Sequence, residues 1–510
     1  MKNTWILLCI LALTFSSCRQ LIDEILDDIG HDDDNNAKEV NFEKIGNIFL
    51  EPGVEEPEGA AEISAYDPKT MQLFVVNNFE ESTIDVVDLS EPSSPALIGS
   101  IDIAPYGGGV NSVAVSKGLL AAAVEAENAT HPGSVVFFDT EDLSEVNVAT
   151  VGALPDMVTF SPDGQFALVA NEGEPNDDYT DDPEGSVSII QIHPSFQVTT
   201  LGFTTFNSAE EALEHDGYRV FGPHASLAED TEPEYIAVSD NSLVAWVSLQ
   251  ENSGLARIDL VSKTITGIFP LGFKDYSLTE NAIDASDEDD TIQQAPRPAL
   301  GMYQPDAIAA YKAMGTNYVI TANEGDARDY DGFSEEERVE DLMLDETAFP
   351  NAASLQMEEN LGRLEITTTL GDADGDDKYE ELYSYGARSF SIWDGGTGMQ
   401  VYDSGNEVED IIIAEGLYDD GRSDAKGVEP EGVVIGKIAG HQIGFIGLER
   451  VDAVVIYDVS DPYYPMFLQA LETGDAPEGL LFVPAKDSPN GKDLFIVSSE
   501  DDGQVIIYEN

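Results

Sequence analysis

The sequence predicts an all-β chain folded as a seven-bladed β-propeller, with an N-terminal strand closing the last blade. Three observations lead there. One apolar–turn–apolar pattern returns seven times from about residue 43 onward. No long run of helical periodicity separates the repeats. The final repeat stops one strand short, and a matching orphan strand stands at the start of the repeat region.

Each repeat opens with an acid and a short apolar strand, as in Pro155-Asp156-Met157-Val158. A turn follows, such as Ser161-Pro162-Asp163-Gly164, rich in residues that set turn geometry. The second strand ends in an acid, as in Leu168-Val169-Ala170-Asn171-Glu172, and the third resembles Ser186-Val187-Ser188-Ile189-Ile190. A fourth piece has glycine at its centre, as in Val151-Gly152 or Leu201-Gly202. The opening positions are Glu62, Asn111, Asp156, Glu234, Asp306, Glu431 and Glu478, at intervals from 45 to 125 residues. The shortest interval suits four short strands with tight turns, the unit of a propeller blade. A β-sandwich array or a β-helix would not give four strands per repeat.

The widest interval, from Asp306 to Glu431, reads as one blade carrying an insertion. Its second strand ends at Glu324 and its third resumes at Arg388-Ser389-Phe390-Ser391-Ile392-Trp393, which leaves about residues 326–386 over one mouth of the ring. Long ordered insertions in compact folds usually carry function. Closure is read from the ends: Gln504-Val505-Ile506-Ile507-Tyr508 is a third strand, and Lys44-Ile45-Gly46-Asn47-Ile48 matches the outer strand Leu97-Ile98-Gly99-Ser100-Ile101. Pairing the two would complete the last blade and remove a sheet edge.

Upstream of the propeller, assigned to residues 41–510, Lys2 precedes an apolar run from Trp5 to Phe15 that is too short to span a bilayer. It ends in Phe15-Ser16-Ser17-Cys18, which resembles a bacterial lipobox. Residues 1–17 are therefore read as a lipoprotein signal peptide and Cys18 as the lipidated residue. The alternative is an ordinary signal peptide cut near Ser17. Residues 18–40 read as an acidic tether; the other reading is an amphipathic helix through Leu21, Ile22, Leu26 and Ile29. Cys9 and Cys18 are the two cysteines, so no disulfide is expected in the mature domain. Arg19 rather than Asp follows Cys18, which points to the outer membrane of a bacterial envelope, facing periplasm or cell surface. A monomer is expected, held to the membrane through its lipid.

Charge decides what the chain does not bind. Lys and Arg total 23 against 99 Asp and Glu, a net charge of −76. That excludes nucleic acid, whose binding needs cationic side chains against phosphate, and electrostatic docking on anionic lipid. At 42% apolar and 9% aromatic residues the chain is also no disordered acidic tail.

The acids fall in two repeat columns. In a blade the start of strand one and the end of strand two share a face. The first column holds Glu62, Asn111, Asp156, Glu234, Asp306, Glu431 and Glu478; the second holds Asn78, Glu125, Glu172, Glu251, Glu324, Glu449 and Glu500. Twelve carboxylates would thus crowd one mouth of the channel, where repulsion and desolvation oppose full ionisation. Rich in oxygen and without His or Cys, this ring suits hard cations, Ca2+ above all. The other reading makes the acids blade-to-blade staples onto backbone N–H groups. A second Ca2+ candidate is Asp372-Ala373-Asp374-Gly375-Asp376 in the insertion, whose alternate aspartates resemble the first half of a calcium loop; the bland reading is a solvated acidic turn.

Arg328, Arg388 and Lys426 stand beside these acids, with Arg422 and Arg450. Metal plus such cations would accommodate a small anion, phosphate or carboxylate, or each cation simply neutralises a neighbouring acid. The catalytic residues of any reaction are unassigned, with Arg328, Arg388 and Lys426 as candidates. No phosphate loop, nucleophile elbow or His-based triad is present.

The strings Leu154-Pro155-Asp156-Met157, Ala170-Asn171-Glu172-Gly173-Glu174-Pro175, Asn323 to Tyr330, Gly386 to Asp394 and Glu429-Pro430-Glu431-Gly432-Val433 resemble the choice-of-anchor I family over about residues 40–510. That resemblance implies a WD40/YVTN-like propeller in an exported bacterial protein, similar to the mesenchyme-specific cell surface glycoproteins associated with biomineralisation. Members are often labelled alkaline phosphatase, which implies a metal-dependent phosphoesterase as the alternative to a binding or scaffold module. If phosphate esters are hydrolysed, the acid ring with Ca2+ and Arg328, Arg388 or Lys426 is where it would happen.

Overall fold

The repeat becomes seven four-stranded antiparallel sheets; six run in simple chain order from the channel outward, and in the seventh Glu43–Phe49 takes the outermost place. The computed structural model describes residues 40–54, 57–289 and 291–510. The segment expected to be a signal peptide, Cys18 and the expected tether up to residue 39 lie outside the described residues. The innermost strands are Ser64–Asp67, Val110–Ser116, Pro155–Phe160, Ile236–Val238, Ile308–Ala313, Pro430–Ile438 and Pro477–Val483, opening blades 1 to 7 in that order. Each touches the next, and the last returns to the first, so the sheets form a closed ring.

The second and third strands explain why the repeats read as continuous apolar runs. Successive side chains point to opposite faces of a strand, and both faces of a blade are covered by neighbouring blades. In blade 1, Phe74 and Val76 pack with Leu120, Ala122 and Val124 of blade 2. The alternate residues Leu73 and Val75 pack with Leu494, Ile496 and Ile507 of blade 7. A fully buried side chain of this size contributes about 1.5–3 kcal/mol, and the ring repeats the arrangement at each blade interface.

Closure follows the expectation from sequence. Glu43–Phe49 pairs antiparallel with Gln504–Glu509, from Glu43↔Glu509 to Phe49↔Gln504, with a register shift between Lys44 and Gly46. The preceding residue fastens the seam. Phe42 is 1% exposed and sits edge-on to Phe445 and Phe495, with ring centroids 5.3 and 6.1 Å away. The Gln469 side chain accepts from the Phe42 N–H and donates to its carbonyl, both at 2.9 Å.

Second strands end, and first strands begin, at one rim, so the connections over residues 203–235, 271–305, 324–388 and 404–429 all leave from it. The insertion in blade 5 runs between Asn323 and Ser389 and does not stand alone. Phe273–Asp275 pairs with Leu300–Met302, which pairs in parallel with Tyr383–Ser384. Tyr276, Ile283 and Ala299 from the first stretch share a small core with Val339, Leu364 and Leu382 from the insertion. Sequence reading did not find this partnership, because the apolar residues of 273–302 are isolated and carry no period. The two ends of the insertion cross at Gly325 (φ +97°) and Gly386 (φ +64°), where a Cβ on either would strike the backbone of the other segment. Among the described residues no helix is long and apolar enough to cross a membrane.

Candidate functional site

The two acid columns meet at the rim because the ends of the first two strands are paired: Pro155 lies opposite Asn171, Pro430 opposite Leu448 and Pro477 opposite Ser499. Residues from all seven innermost segments line a cavity of about 60 Å³ at the channel mouth, among them Ile63, Asn111, Asp156, Tyr235, Asp306, Gly432 and Glu478. That is room for a few waters or one ion. Further along the channel a more apolar cavity of about 270 Å³ is lined by Ala65, Val113, Val158, Val434 and Leu481. Its polar lining is hydroxyl only, from Ser64, Tyr66, Ser112, Thr159 and Tyr235, so the carboxylates are confined to the rim that carries the columns.

The two columns divide by side-chain type. The two amide members act as staples. Asn78 donates to both Glu62 oxygens at 3.1 Å and to Val110 O at 2.8 Å, and Asn111 donates to Pro155 O at 3.3 Å. The carboxylates instead gather. Oxygens of Glu172, Glu234 and Glu251 lie within 4.8 Å of one another, as do those of Asp306, Glu324 and Glu431, and those of Glu324, Glu429 and Glu449. The Oε2 atoms of Glu251, Glu431 and Glu478 are buried without a hydrogen-bond partner among the described residues.

Crowding shows in the ionisation of the ring. Burial first, then the carboxylates of Glu500 and Asp156, push Glu62 up to about 8, although Asn78 opposes this. Burial, with Asp326 next, pushes Glu251 up to about 8. Burial, with Glu324 next, does the same to Glu449. Asp156 rises to about 7 through burial and Glu174. Glu172, Glu234, Asp306, Glu431 and Glu478 are held well above the ordinary carboxylate range by burial and by one another. Glu125 and Glu500 are raised in the same sense.

One column assignment shifts by a residue. Ser248 N–H bonds to Tyr235 O as Ala322 N–H bonds to Ala307 O, so the position equivalent to Glu324 in blade 4 is Gln250. Glu251 lies one place beyond the column and still joins the Glu172 cluster. Gln250 donates to Glu324 Oε2 at 3.0 Å. The charge of Glu251 drew attention away from its neutral neighbour.

The cationic candidates do not present themselves to an anion. Arg328 is buried, with Nε donating to Glu232 Oε2 at 3.0 Å, an ion pair to Asp230, and its guanidinium carbon 4.4 Å from the centre of the Phe221 ring. Arg388 is buried too, donating to the carbonyls of Asp284, Ser423 and Ala425 at 2.7–2.8 Å, with Glu409 at 3.5 Å. Both therefore hold connections of the rim together, and the anion-binding expectation for them gives way to neutralisation. Lys426 alone of the three lies in the acid ring, 2.7 Å from Glu324 Oε1 and 3.2 Å from Glu429 Oε2. Burial would drive its ammonium down, but Glu324, Glu429 and Asp326 outweigh that and hold it above the usual lysine range. Arg422 and Arg450 pair with Glu429 and Glu449.

In the insertion, Asp372, Asp374 and Asp376 bring oxygens within 4.8 Å of one another. Their turn is internally bonded: Asp372 accepts from the N–H groups of Gly375, Asp376 and Asp377 at 2.8–3.1 Å, and Lys378 pairs with Asp376 at 2.7 Å.

Residues outside the columns complete the mouth, notably Glu174, Glu232 and Glu429. A repeated string could have found the first. Asn171-Glu172-Gly173-Glu174 and Asn323-Glu324-Gly325-Asp326 share one plan, with each Asn buried and donating to a third-strand hydroxyl, Ser188 Oγ at 3.0 Å and Ser391 Oγ at 2.9 Å.

The sequence profile of the choice-of-anchor I domain matches residues 62–462. The chain belongs to the choice-of-anchor I family. That match takes in six of the seven column-one acids and amides and the whole insertion. Among characterised proteins, this choice-of-anchor I chain is 28% identical over 189 residues to Gigasin-3a of Magallana gigas, covering 30% of this chain and 66% of that one. It is 27% identical over 321 residues to a mesenchyme-specific cell surface glycoprotein of Strongylocentrotus purpuratus, covering 52% and 41%. The match thus spans under two thirds of each relative's length. Two solved structures overlay most of the chain: Kuenenia stuttgartiensis hydrazine synthase (TM-score 0.49, 12% identity, 91% of this chain and 99% of that one) and the Cps50 (Swd1) β-propeller domain of Myceliophteria thermophila (TM-score 0.46, 10% identity, 92% and 100%). The propeller itself rests on the closed ring of sheets described above.

Proposed function

We propose that this choice-of-anchor I domain is a cell-surface binding or scaffold module whose acid-lined channel mouth holds divalent cations, Ca2+ foremost. One observation carries the reading. Buried carboxylate oxygens of Glu251, Glu431 and Glu478 lack any partner among the described residues while facing further carboxylates. Leaving such groups bare is costly, whereas a hard cation supplies both charge and coordination. The donor set of Asp and Glu, with Asn and Gln nearby, suits Ca2+ better than zinc. The turn at Asp372, Asp374 and Asp376 is a second, weaker candidate.

Support for a surface role comes from the Strongylocentrotus purpuratus relative, a cell surface glycoprotein. Lipidation at Cys18 and an outer-membrane location agree with that role and remain part of the proposal. The phosphoesterase alternative draws nothing from Arg328 and Arg388, whose donors are committed inside the rim. The test uses the full chain stripped with chelator. Ca2+ should raise its melting temperature saturably, since a ligand that binds only the folded state stabilises it by mass action. Superimposable melting curves with chelator and with Ca2+ would overturn the cation reading.

A further inference from the structure

Two of the acid clusters are built on one plan. In the first, Glu172 from the end of blade 3's second strand meets Glu234 at the opening of blade 4, with Glu251 alongside. In the second, Glu324 from the end of blade 5's second strand meets Glu431 at the opening of blade 6, with Asp306 alongside. The same Asn-Glu-Gly-acid string supplies Glu172 and Glu324, and both Asn side chains are fixed by serine hydroxyls of the third strand. The two carboxylates are thus delivered to equivalent places by equivalent local structure.

Their charge partners differ. In the second cluster both oxygens of Glu324 are taken: Oε1 by Lys426 Nζ at 2.7 Å and Oε2 by Gln250 Nε2 at 3.0 Å. Lys426 reaches Glu429 as well, at 3.2 Å. In the first cluster no Lys or Arg among the described residues forms an ion pair with Glu172, Glu234 or Glu251. The neighbouring guanidinium, Arg328, is committed to Asp230 and Glu232. Glu251 is 3% exposed and its Oε2 has no partner among the described residues. Three oxygens within 4.8 Å of one another fit a common Ca2+, whose ligands sit at about 2.3–2.6 Å from the ion.

We propose that Glu172, Glu234 and Glu251 form the mouth's site for a free divalent cation, and that Lys426, bonded to Glu324 and Glu429, is a tethered cation that excludes a second ion from the acid clusters sharing Glu324. This rests on the cation-binding reading above and adds which acids act and what limits the number of ions. An ammonium and Ca2+ cannot share Glu324 without strong mutual repulsion, so a metal there must first displace Lys426.

Calorimetric titration of the chelator-stripped full chain with CaCl2 tests it, with folding of each variant checked by circular dichroism. With the insertion turn silenced by Asp372→Asn and Asp374→Asn, the otherwise native chain should take up one equivalent. In that background Lys426→Gln should take up two. Glu251→Gln should bind the first equivalent at least about tenfold more weakly, while Glu324→Gln keeps it, which leaves the proposal open to refutation should Lys426→Gln fail to fold. One equivalent that survives Glu251→Gln unaltered, or two equivalents in the turn-silenced chain with Lys426 in place, overturns the inference while leaving the cation-binding mouth intact. No uptake by any variant overturns both.

Discussion

Without divalent cations the propeller should lose stability as pH rises from about 6 to about 8. Glu62, Glu251 and Glu449 are each pushed up to about 8 in the folded protein, against 4.5 for an ordinary glutamate. Between those two values the folded state holds a proton that the unfolded chain has released. Stability from these groups is complete below the ordinary value and disappears as pH climbs through the folded one. For one such carboxyl the loss between about pH 6 and about pH 8 is ~2 kcal/mol. The three titrate in one shared field, so the total lies between that figure and about 7 kcal/mol. Glu429 shifts the opposite way: burial would raise it, but Lys426 and Arg422 hold it low. Its contribution is already complete by about pH 6 and leaves the window undisturbed. Urea denaturation of the full chain in chelator, repeated across this range, reads the slope directly. Saturating Ca2+ should flatten it by favouring the ionised ring. A midpoint that stays constant or rises with pH in chelator would refute the reasoning.

Other perturbations separate the roles of individual residues. Phe42→Ala removes the wedge at the ring closure, between Phe445 and Phe495; it should cost about 3–5 kcal/mol in urea denaturation. Arg328→Met leaves Asp230 and Glu232 buried without their counter-ion and should cost about 3–5 kcal/mol, a loss seen in the same denaturation experiment. With a chromogenic phosphate ester and Ca2+, no chelator-sensitive turnover is expected from the native chain; turnover abolished by chelator and by Glu324→Gln would make the mouth a catalytic site.

The architecture was legible because a blade is a local unit. Its four strands, turns and rim acids recur in sequence order, and even ring closure could be read from the missing fourth strand after Tyr508 and the orphan strand beginning at Lys44. Long-range partnerships were not legible. Arg328 meets Asp230 across 98 residues of chain and Glu232 across 96, and nothing in the local pattern marks such pairs. The small core shared by Tyr276 and Leu382 was hidden for the same reason. Gln250 was missed because charge rather than register was used to place the blade 4 residue, and register is what a one-residue offset changes. The repeated Asn-Glu-Gly-acid string was visible but not connected across blades 3 and 5, although it foreshadowed the two matched clusters.

A cation entering the acid ring must replace the protons that the ring holds. Calorimetry of Ca2+ binding near pH 7, run in two buffers of different ionisation enthalpy, counts the protons released per ion. Burial and Asp326 push Glu251 up to about 8, and a carboxyl must ionise to bind metal, so saturable binding should release at least about half a proton per ion. Absence of binding, or binding with no proton release, would contradict the claim.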